Sequence, residues 1–580
     1  MAEVVVGIDF GSSGSGFAYA FSDNKDEIIH GKIYGANVDD KVPTAIILDD
    51  NNNTLKFGKE CLDYIKKKGL EAGHYFKEIK MNLYEKKKEI KAKNSGKILP
   101  LTLVIQRVLE KLKDLAIAEI KKNRPNEQNN IKYVVTVPAI WEEFQKNIMM
   151  EACINAGLIK EEDDKSLFFA LEPEAASYYC LNNKSIDQSL MKEGNYYIIC
   201  DLGGGTGDIV THLIGVNKNL NEICPPNGGK YGSNEINKLF FEEIVFKIFD
   251  CKDYNTYYKK YLELNKSIEE EGVLFSDWNE LERKVMDFKE GTNLEKVNEN
   301  EYYPINLGLF QEIFNDDIDL NDLIDKYNKN CDNNELKLKI KSKKKWIIDF
   351  PHKIIYNYIK RQVNSICEII NIILKYEESI NSIILVGGYC SNEVLMSEIK
   401  KQLLNKISNC FQPSKPCLAI MEGAVLFGLN PNKIIQRKAR YTIGIQSNNI
   451  WNEKLHSKNG KRLYDDEDNV WRCTDCFDSF DIFIKINERI QLGQEIINDY
   501  SLIGPRYCAI KYYKTWKSSP IFVDEEGFEY IGQLNLDAGK DYPIEERDVK
   551  VTMRIGGTFI DIQAKHLKSG NSIKAKLDFN

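Results

Sequence analysis

Two segments of the chain share a pattern in which a strand-like run ends in aspartate and a turn of small residues leads into a second strand-like run. The first is GIDFGSSGSGFAYAF, which contains Asp9, and the second is ICDLGGGTGDIV, which contains Asp201. In GFAYAF, large and small side chains alternate with a period of two, so the chain leaves the turn as a β-strand and not as a helix. The repeated pattern predicts two related halves, each with a β-hairpin that has a small-residue tip.

Such tips are suited to binding phosphate. A turn of Gly, Ser and Thr exposes backbone N–H groups with no bulky side chain in the way, and such a nest binds anionic oxygens. An aspartate just before the turn is placed to hold a hydrated Mg²⁺ or to position water beside a phosphate. One glycine hairpin alone is more often structural. Two with matching aspartates predict a phosphate-binding cleft between the two halves.

Three other phosphate-binding motifs do not fit. Asp9-Phe10-Gly11 matches the magnesium triplet of protein kinases, but only eight residues precede it, and a kinase needs a whole lobe and a catalytic loop there. A dinucleotide-binding loop opens a helix, whereas GFAYAF is typical of a strand. The P-loop pattern GxxxxGK[ST] does not occur in the sequence.

Composition narrows the class of protein. A chain of 580 residues is too long for one hydrophobic core, so several domains are expected. A net charge of −8 argues against a general nucleic-acid binder. No run of eighteen apolar residues occurs, so no membrane span is predicted. The 14 cysteines lack a framework spacing, which favours a reducing compartment; we expect a cytoplasmic location, with a nuclear one left open.

The pattern of secondary structure changes along the chain. Residues 1–235 alternate short β runs with helical stretches, and residues 236–380 are mostly helical and highly charged. Residues 381–430 return to strand, glycine turn and helix. From about Tyr441 the chain consists of short alternating strands separated by Gly, Asn and Pro turns, which predicts an all-β module.

Several segments together carry a family resemblance. The two hairpin segments resemble the two phosphate loops of the actin–hexokinase–heat-shock ATPase superfamily, and ILVGGYCSNEVLMSEI resembles its adenosine-contacting segment. LEPEAA, which starts at Leu171, resembles the heat-shock segment Asn-Glu-Pro-Thr-Ala-Ala. Chain order and spacing match the 70-kDa heat-shock proteins. VVTVPAIW, KMNLY and GAVLFGLNP look most like their divergent heat shock 70 kDa protein 12 branch.

The resemblance implies a fold and a function. The fold is α/β: a two-lobed actin-like ATPase domain (a duplicated ribonuclease H-like fold) at residues 1–437, with a helical insert at about 236–345. A substrate-binding β-sandwich without a helical lid would follow at 441–580. The implied function is that of a molecular chaperone, which hydrolyses ATP slowly and couples this to binding of unfolded or extended polypeptide. The bound groups would be ATP or ADP and Mg²⁺, with K⁺ a further candidate ion. Nucleotide-exchange and J-type cochaperones are candidate partners, and no nucleic acid is implied.

The resemblance also assigns roles to residues of this chain. Asp9 and Asp201 would bracket the hydrated metal. Lys80, with Lys77 nearby, would compensate the charge of the γ-phosphate, and Glu172 and Asp208 would orient water. The implied catalytic set is Lys80, Glu172, Asp201, Thr206 and Asp208. The implied nucleotide contacts are Gly11, Ser12, Ser13, Gly203, Gly204, Gly205, Thr206, Gly228, Gly229, Gly387, Gly388 and Tyr389.

Three departures from the family pattern leave alternatives open. Tyr389-Cys390-Ser391 replaces the usual Ser-Thr-Arg, and Cys417 stands where an aspartate is usual. The junction at residues 434–440 is basic where the family has an apolar linker. A nucleotide-regulated scaffold without turnover and a small-molecule kinase of the same superfamily therefore remain alternatives. An actin-like filament former is disfavoured by the C-terminal β module.

Overall fold

The computed structural model describes most of the chain. The described residues are 3–33, 41–68, 72–127, 130–161, 165–183, 186, 188–253, 256, 259–260, 268–314, 319–447, 462–465, 470–473, 479–502, 504–555 and 559–578. Within these ranges no helix is both long and apolar enough to cross a membrane.

Strands are distributed along the whole described chain, and helices end before the C-terminal region. The strands are β1 (Val4–Asp9), β2 (Gly14–Phe21), β3 (Asn24–His30), β4 (Val42–Pro43), β5 (Ile46–Leu48), β6 (Thr54–Phe57), β7 (His74–Phe76), β8 (Glu89–Lys91), β9 (Ile98–Pro100), β10 (Ile131–Val137), β11 (Leu167–Leu171), β12 (Tyr196–Leu202), β13 (Gly207–Ile214), β14 (Leu220–Gly229), β15 (Tyr302–Asn306), β16 (Lys339–Ser342), β17 (Ile347–Pro351), β18 (Ser382–Val386), β19 (Asn409–Phe411), β20 (Ile434–Lys438), β21 (Thr442–Ser447), β22 (Arg462–Asp465), β23 (Val470–Cys473), β24 (Ser479–Ile484), β25 (Arg489–Gln491), β26 (Glu495–Ser501), β27 (Tyr507–Thr515), β28 (Phe528–Asp537), β29 (Asp548–Ile555), β30 (Phe559–His566) and β31 (Ser572–Asp578). The helices are α1 (Glu60–Lys68), α2 (Ile79–Tyr84), α3 (Leu101–Asn123), α4 (Glu143–Asn155), α5 (Glu172–Asn182), α6 (Ser233–Phe240), α7 (Phe246–Ile248), α8 (Ile268–Glu290), α9 (Leu294–Asn298), α10 (Gly308–Phe314), α11 (Leu320–Lys329), α12 (His352–Tyr376), α13 (Glu393–Leu403) and α14 (Ala419–Leu429).

The first predicted hairpin lies in a six-stranded mixed sheet, called sheet 1. Its order is β11-β10-β1-β2-β3, and β4 also pairs with β2. β1 is antiparallel to β2 and parallel to β10. Every residue of β1 is buried, because α3 covers one face of the sheet and α5 and α14 cover the other.

The second predicted hairpin lies in a seven-stranded mixed sheet, called sheet 2. Its order is β19-β18-β12-β13-β14-β20-β25, with β12 antiparallel to β13 and parallel to β18. In both sheets the aspartate that precedes the turn therefore lies at the end of a strand between a hairpin partner and a parallel neighbour. The α/β class with mixed sheets is confirmed. The duplicated ribonuclease H-like fold stays a prediction.

The region predicted as a helical insert contains helices and a small sheet. β15, β17 and β16 form an antiparallel sheet beside α6 to α11. Phe240 lies against Phe288 and Phe350, with ring centroids 5.7 and 5.1 Å apart, and this cluster joins the insert to sheet 2. α12 begins after Pro351 and buries isoleucines at helical spacing, among them Ile355 and Ile359.

The C-terminal region is built of strands in its described part. Two four-stranded antiparallel sheets have the orders β24-β21-β27-β28 and β26-β29-β30-β31. They share one hydrophobic core, to which both sheets contribute, for example Tyr512 and Val551. This region also contacts the first part of the chain, since Lys514 Nζ lies 3.7 Å from Glu142 Oε2. The sandwich and the proposed limits at 437 and 441 stay predictions.

The basic junction at residues 434–440 is part of a sheet. β20 runs parallel to β14 and antiparallel to β25, so it joins sheet 2 to the C-terminal region. Its Arg437 is 1% exposed, and one guanidinium nitrogen lies 2.5 and 2.7 Å from the two carboxylate oxygens of Glu174 on α5. A buried arginine therefore anchors the junction strand to the helix that starts at Glu172.

A second buried carboxylate, Glu222 on β14, faces the same strand. One of its oxygens accepts a hydrogen bond from the backbone N–H of Lys438 at 3.0 Å, and the other has no hydrogen-bond partner among the described residues. Burial raises the pKa of Glu222 from 4.5 to about 8, although Arg437 opposes the shift. The folded protein therefore favours the protonated form of this carboxyl group more strongly than the unfolded chain does.

This raised pKa predicts a pH-dependent stability. The stabilising contribution of Glu222 is fully present below its ordinary pKa of 4.5 and is lost as the pH rises towards about 8. We expect the Tm difference between the E222Q variant and the wild type to become more positive from pH 5 to pH 8. Thermal unfolding measured across this range checks the prediction, with E495Q on the exposed face of β26 as the control. A difference that stays constant would contradict it.

Candidate functional site

The turns after Asp9 and Asp201 meet at one cleft between sheets 1 and 2. Ser13 Oγ in the first turn donates to Asn234 Oδ1 at 3.2 Å, and Asn234 N donates to Gly204 O in the second turn at 2.8 Å. The residues lining the cleft are Asp9, Gly11, Ser12, Ser13, Gly14, Lys41, Lys80, Glu172, Asp201, Gly203, Gly204, Gly205, Thr206, Gly387, Gly388, Cys417 and Ile420. The structure thus brings together most of the residues that the sequence assigned to the phosphates.

The two turns approach so closely that only glycine fits at their contact. A Cβ added to Gly204 would lie 1.8 Å from Ser13 Oγ, and one added to Gly205 would lie 2.4 Å from Ser12 Oγ. Gly387 has a φ of +90° and would place a Cβ 2.5 Å from Asp201 Oδ1. Where the two turns meet, the walls of the cleft are therefore backbone and small side chains, which is the form a phosphate cradle takes.

The start of α6 fixes the second turn. Ser233 N donates to Gly203 O at 3.1 Å, in line with the bond from Asn234, and Gly203 N donates to Thr206 O at 3.0 Å. The bonds from Ser233 and Asn234 use the first free N–H groups of the helix, which lack partners within it. The turn is consequently held by backbone contacts while its small side chains remain at the cleft.

Four carboxylates are buried at or behind the cleft. Asp9, Glu172, Asp201 and Asp208 are each 5% exposed or less. Burial, and then the charges of Glu172 and Asp208, raise the pKa of Asp201 well above its ordinary value, although Lys41 opposes this. Asp201 Oδ1 has no hydrogen-bond partner in the described part of the chain. A bound cation would relieve this repulsion and satisfy that oxygen.

Glu172 and Lys80 form a buried ion pair in the cleft. Their side chains are 6% and 4% exposed, and Glu172 Oε1 accepts a hydrogen bond from Lys80 Nζ. Burial raises the pKa of Glu172 to about 7, Lys80 opposes the shift, and Asp208 and Asp9 add to it. Glu172 is the first residue of α5 and is followed by Pro173, which is favoured in the first turn of a helix.

Of the two lysines that the sequence offered, the structure places Lys80 in the cleft. Lys77 instead pairs with Glu282 on α8, and so links the chain before α2 to the insert. Lys80 Nζ also lies 5.6 Å from the centre of the Trp141 ring.

Asp208 lies directly behind the cleft. It pairs in register with Asp201 across the β12–β13 hairpin, and its Oδ1 accepts from Ile140 N at 3.2 Å. Burial raises the pKa of Asp208 in spite of that bond and of Lys80. Thr206, one turn residue before β13, lines the cleft and is 7% exposed.

Three residues assigned to the nucleotide do not line the cleft. Gly228 and Gly229 end β14 and pair with Asp208 and Gly207; a Cβ on Gly228 would lie 2.2 Å from Gly207 O, so glycine here allows two strands to approach. Tyr389 is 5% exposed, and its hydroxyl group donates to Gln362 Oε1 at 3.0 Å. Its aromatic ring belongs to the hydrophobic core of sheet 2, since a large apolar ring is more stable there than in water.

The cleft also contains residues that the sequence did not assign to it. Lys41 Nζ lies 2.5 Å from Asp9 Oδ2, and Gly14 and Ile420 lie nearby in the cleft lining. Cys417, noted above as a departure, is exposed at the same place. The sequence carries no local signal for Lys41, which is one of 79 lysines and arginines and lies far along the chain from Asp9.

The carboxylates of the cleft suit a metal ion that also binds water and phosphate oxygens. Among the described residues, no three His, Cys, Asp or Glu side chains are gathered closely enough to hold a metal ion by themselves. Mg²⁺ usually keeps several waters and takes one or two carboxylates together with substrate phosphates. The unpartnered Asp201 Oδ1 beside two glycine turns fits that mode of binding.

Comparison with known proteins places the chain among relatives. No protein-family model matches it. It is 26% identical over 666 residues to human heat shock 70 kDa protein 12B, covering 99% of this chain and 91% of that one. It is also 26% identical over 653 and 654 residues to mouse and human heat shock 70 kDa protein 12A, with the same coverage. The resemblance predicted from the motifs is thereby confirmed: over nearly its whole length the chain is similar to the heat shock 70 kDa protein 12 branch.

Proposed function

We propose that the chain binds ATP with Mg²⁺ in the cleft between sheets 1 and 2, hydrolyses it slowly, and couples this to binding of an extended polypeptide. The observation that carries the proposal is the meeting of the two glycine turns beside buried carboxylates, among them Asp201, whose Oδ1 lacks a hydrogen-bond partner in the described part of the chain. The names of the relatives support the same class of protein.

Each wall of the cleft has a part in this reaction. The turn at residues 11–13 and the turn at residues 203–206 hold the phosphates from opposite sides. Lys80 compensates the negative charge that develops on the transferred phosphoryl group. Glu172 and Asp208 orient the attacking water, and Asp201 faces the metal. Mg²⁺, when bound, would neutralise part of the negative charge on the phosphate oxygens.

We infer slow turnover from the state of Glu172. Its carboxylate is paired with Lys80, so it must reorganise or share that contact to orient water. No covalent nucleophile is required, since transfer of a phosphoryl group to water depends on positioning and electrostatics. The same ion pair favours the second candidate function, a nucleotide-regulated scaffold without turnover. Lys80 and Glu172 bind each other in it, so neither is free to act on phosphate or water.

The C-terminal region is the proposed polypeptide site. β26 lies at the edge of its sheet and pairs only with β29 among the described strands. Its residues alternate between exposed and half-buried, and Ile497 is 48% exposed. An extended segment can add to such an edge through main-chain hydrogen bonds, with side chains such as Ile497 selecting apolar residues. Nucleotide-exchange or J-type partners and a cytoplasmic location complete the proposal.

Removing the charge of Asp201 tests the metal part of the proposal. We expect the D201N variant to bind ADP about tenfold or more weakly than the wild type in Mg²⁺, because an amide is a poorer ligand for a hard cation. In EDTA the two proteins are expected to bind ADP alike or the variant more tightly. Isothermal titration calorimetry checks this, with D561N on the exposed face of β30 as the control. Equal affinity of D201N and wild type for ADP in Mg²⁺ would count against the metal assignment.

A further inference from the structure

Lys41 is held at the cleft by the first turn itself. It directly precedes β4, which pairs with β2 through Gly14 and Pro43. Thr44 N donates to Ser13 O at 3.1 Å, and Thr44 Oγ1 donates to Gly11 O at 2.6 Å. The backbone on the C-terminal side of Lys41 is therefore fixed to the residues that line the phosphate cradle, and its ammonium group reaches into the same cleft.

The ammonium group of Lys41 has one hydrogen-bond partner among the described residues, Asp9 Oδ2 at 2.5 Å. An ammonium group has three donors, so it can accept further oxygen partners. The side chain is 23% exposed, whereas that of its partner Asp9 is 3% exposed and that of Lys80 is 4% exposed. Lys41 is thus the more accessible of the two cleft lysines.

Lys41 brings a second ammonium group to the cleft, in addition to that of Lys80. The cleft therefore combines four buried carboxylates with two ammonium groups, one bound to Glu172 and one bound to Asp9. With Lys41 on Asp9, two oxygens of these four carboxylates have no hydrogen-bond partner among the described residues, Asp201 Oδ1 and Asp208 Oδ2. Of these two residues, Asp201 lines the cleft and Asp208 lies behind it.

We propose that Lys41 is a second phosphate-binding lysine of this cleft: its ammonium group moves from Asp9 to phosphate oxygens when a polyphosphate binds. The ligand is a polyphosphate, and the inference deepens the proposed function by assigning a residue to that site. It also divides the roles of the two aspartates. Asp201 faces the metal, and Asp9 holds Lys41 in place until phosphate arrives. A second lysine at the phosphates supplies positive charge in addition to that of Lys80 and Mg²⁺, so polyphosphate binding should persist without Mg²⁺.

The test uses inorganic tripolyphosphate in EDTA, titrated calorimetrically into the full chain. The wild type is expected to bind it, K41R to bind nearly as well, and K41M about tenfold or more weakly. Lys56, which pairs with exposed Glu60, provides the matched control K56M, for which no change is expected.

A double variant separates a direct contact from a merely structural one. K41M alone leaves the buried Asp9 unpaired and is prone to misfold, whereas D9N/K41M has no unpaired charge there. If Lys41 binds phosphate, D9N/K41M binds tripolyphosphate about tenfold or more weakly than D9N, in which Lys41 is released from its partner. If Lys41 only neutralises Asp9, the two variants bind alike, and that result overturns the proposal.

A parallel titration with ATP and Mg²⁺ separates this inference from the proposed function. If the wild type binds ATP, and D9N/K41M binds it with the same affinity as D9N, the role of Lys41 is refuted and nucleotide binding stands. If the wild type binds tripolyphosphate through Lys41 but does not bind ATP, the role of Lys41 is supported and nucleotide binding is refuted. A wild type that does not bind tripolyphosphate in EDTA also refutes the role of Lys41.

Discussion

The E172Q variant is expected to bind ATP with Mg²⁺ within about twofold of the wild type but to release phosphate about a hundredfold or more slowly. Glutamine keeps the size of the side chain and an oxygen that accepts from Lys80 Nζ. It cannot carry the negative charge that orients and polarises an attacking water. Because the substitution also removes a negative charge from the cleft that we propose binds phosphate, ground-state affinity should not fall.

The pH dependence of turnover gives a second reading of the same residue. The pKa of Glu172 is raised to about 7 by burial, so the carboxyl group loses its proton as the pH rises through that value. Wild-type turnover should therefore increase between pH 6 and pH 8, and the residual turnover of E172Q should not follow that increase. Phosphate release measured beside calorimetric binding checks both points, with exposed Glu193 changed to Gln as the control. Hydrolysis by E172Q at the wild-type rate would remove Glu172 from the reaction.

The second large effect is expected at the junction strand. The R437M variant should lose about 3–5 kcal/mol of unfolding free energy, because it leaves the carboxylate of Glu174 buried without its partner. Burial already raises the pKa of Glu174 against the effect of Arg437, so the unpaired carboxyl group will take up a proton more readily. The loss of stability is therefore expected to be smaller at pH 5 than at pH 8.

Two further variants make this measurement specific. R437M/E174Q, which buries no unpaired charge, should recover much of the lost stability. R361M removes an arginine from the exposed pair with Glu243, whose side chains are 54% and 35% exposed, and should change stability by about 1 kcal/mol or less. Chemical denaturation of the four proteins checks the prediction. Equal losses in R437M and R361M would contradict the anchoring role of Arg437.

The two hairpins were predictable because their signal is local. Alternation in GFAYAF and small residues after each aspartate specify strand, turn and strand within a few positions. The α/β class agrees with a different pattern, the alternation of short β runs with helical stretches along residues 1–235. The shared pattern predicted that the two turns would meet at a cleft. It does not encode the long-range packing that brings Ser13 and Gly204 into contact.

Other features depend on contacts between distant parts of the chain. Lys41 reaches Asp9 because β4 pairs with β2, and no spacing rule connects a lysine to such a partner. Tyr389 follows two glycines that line the cleft, yet its ring is more stable in the core beside Gln362 than in water. The basic composition of the junction does not reveal where its side chains lie; Arg437 is buried because Glu174 on α5 pairs with it.

A single-turnover experiment tests the central claim most directly. ATP labelled at the γ-phosphate is mixed with Mg²⁺ and an excess of the wild-type chain, and the bound label is followed with time beside E172Q. The account predicts a slow conversion of bound ATP to ADP, with the label appearing as free phosphate in the wild type and remaining in ATP in E172Q. Bound ATP that stays intact in the wild type would contradict the account in favour of a scaffold. Label transferred to an added sugar would instead indicate a kinase.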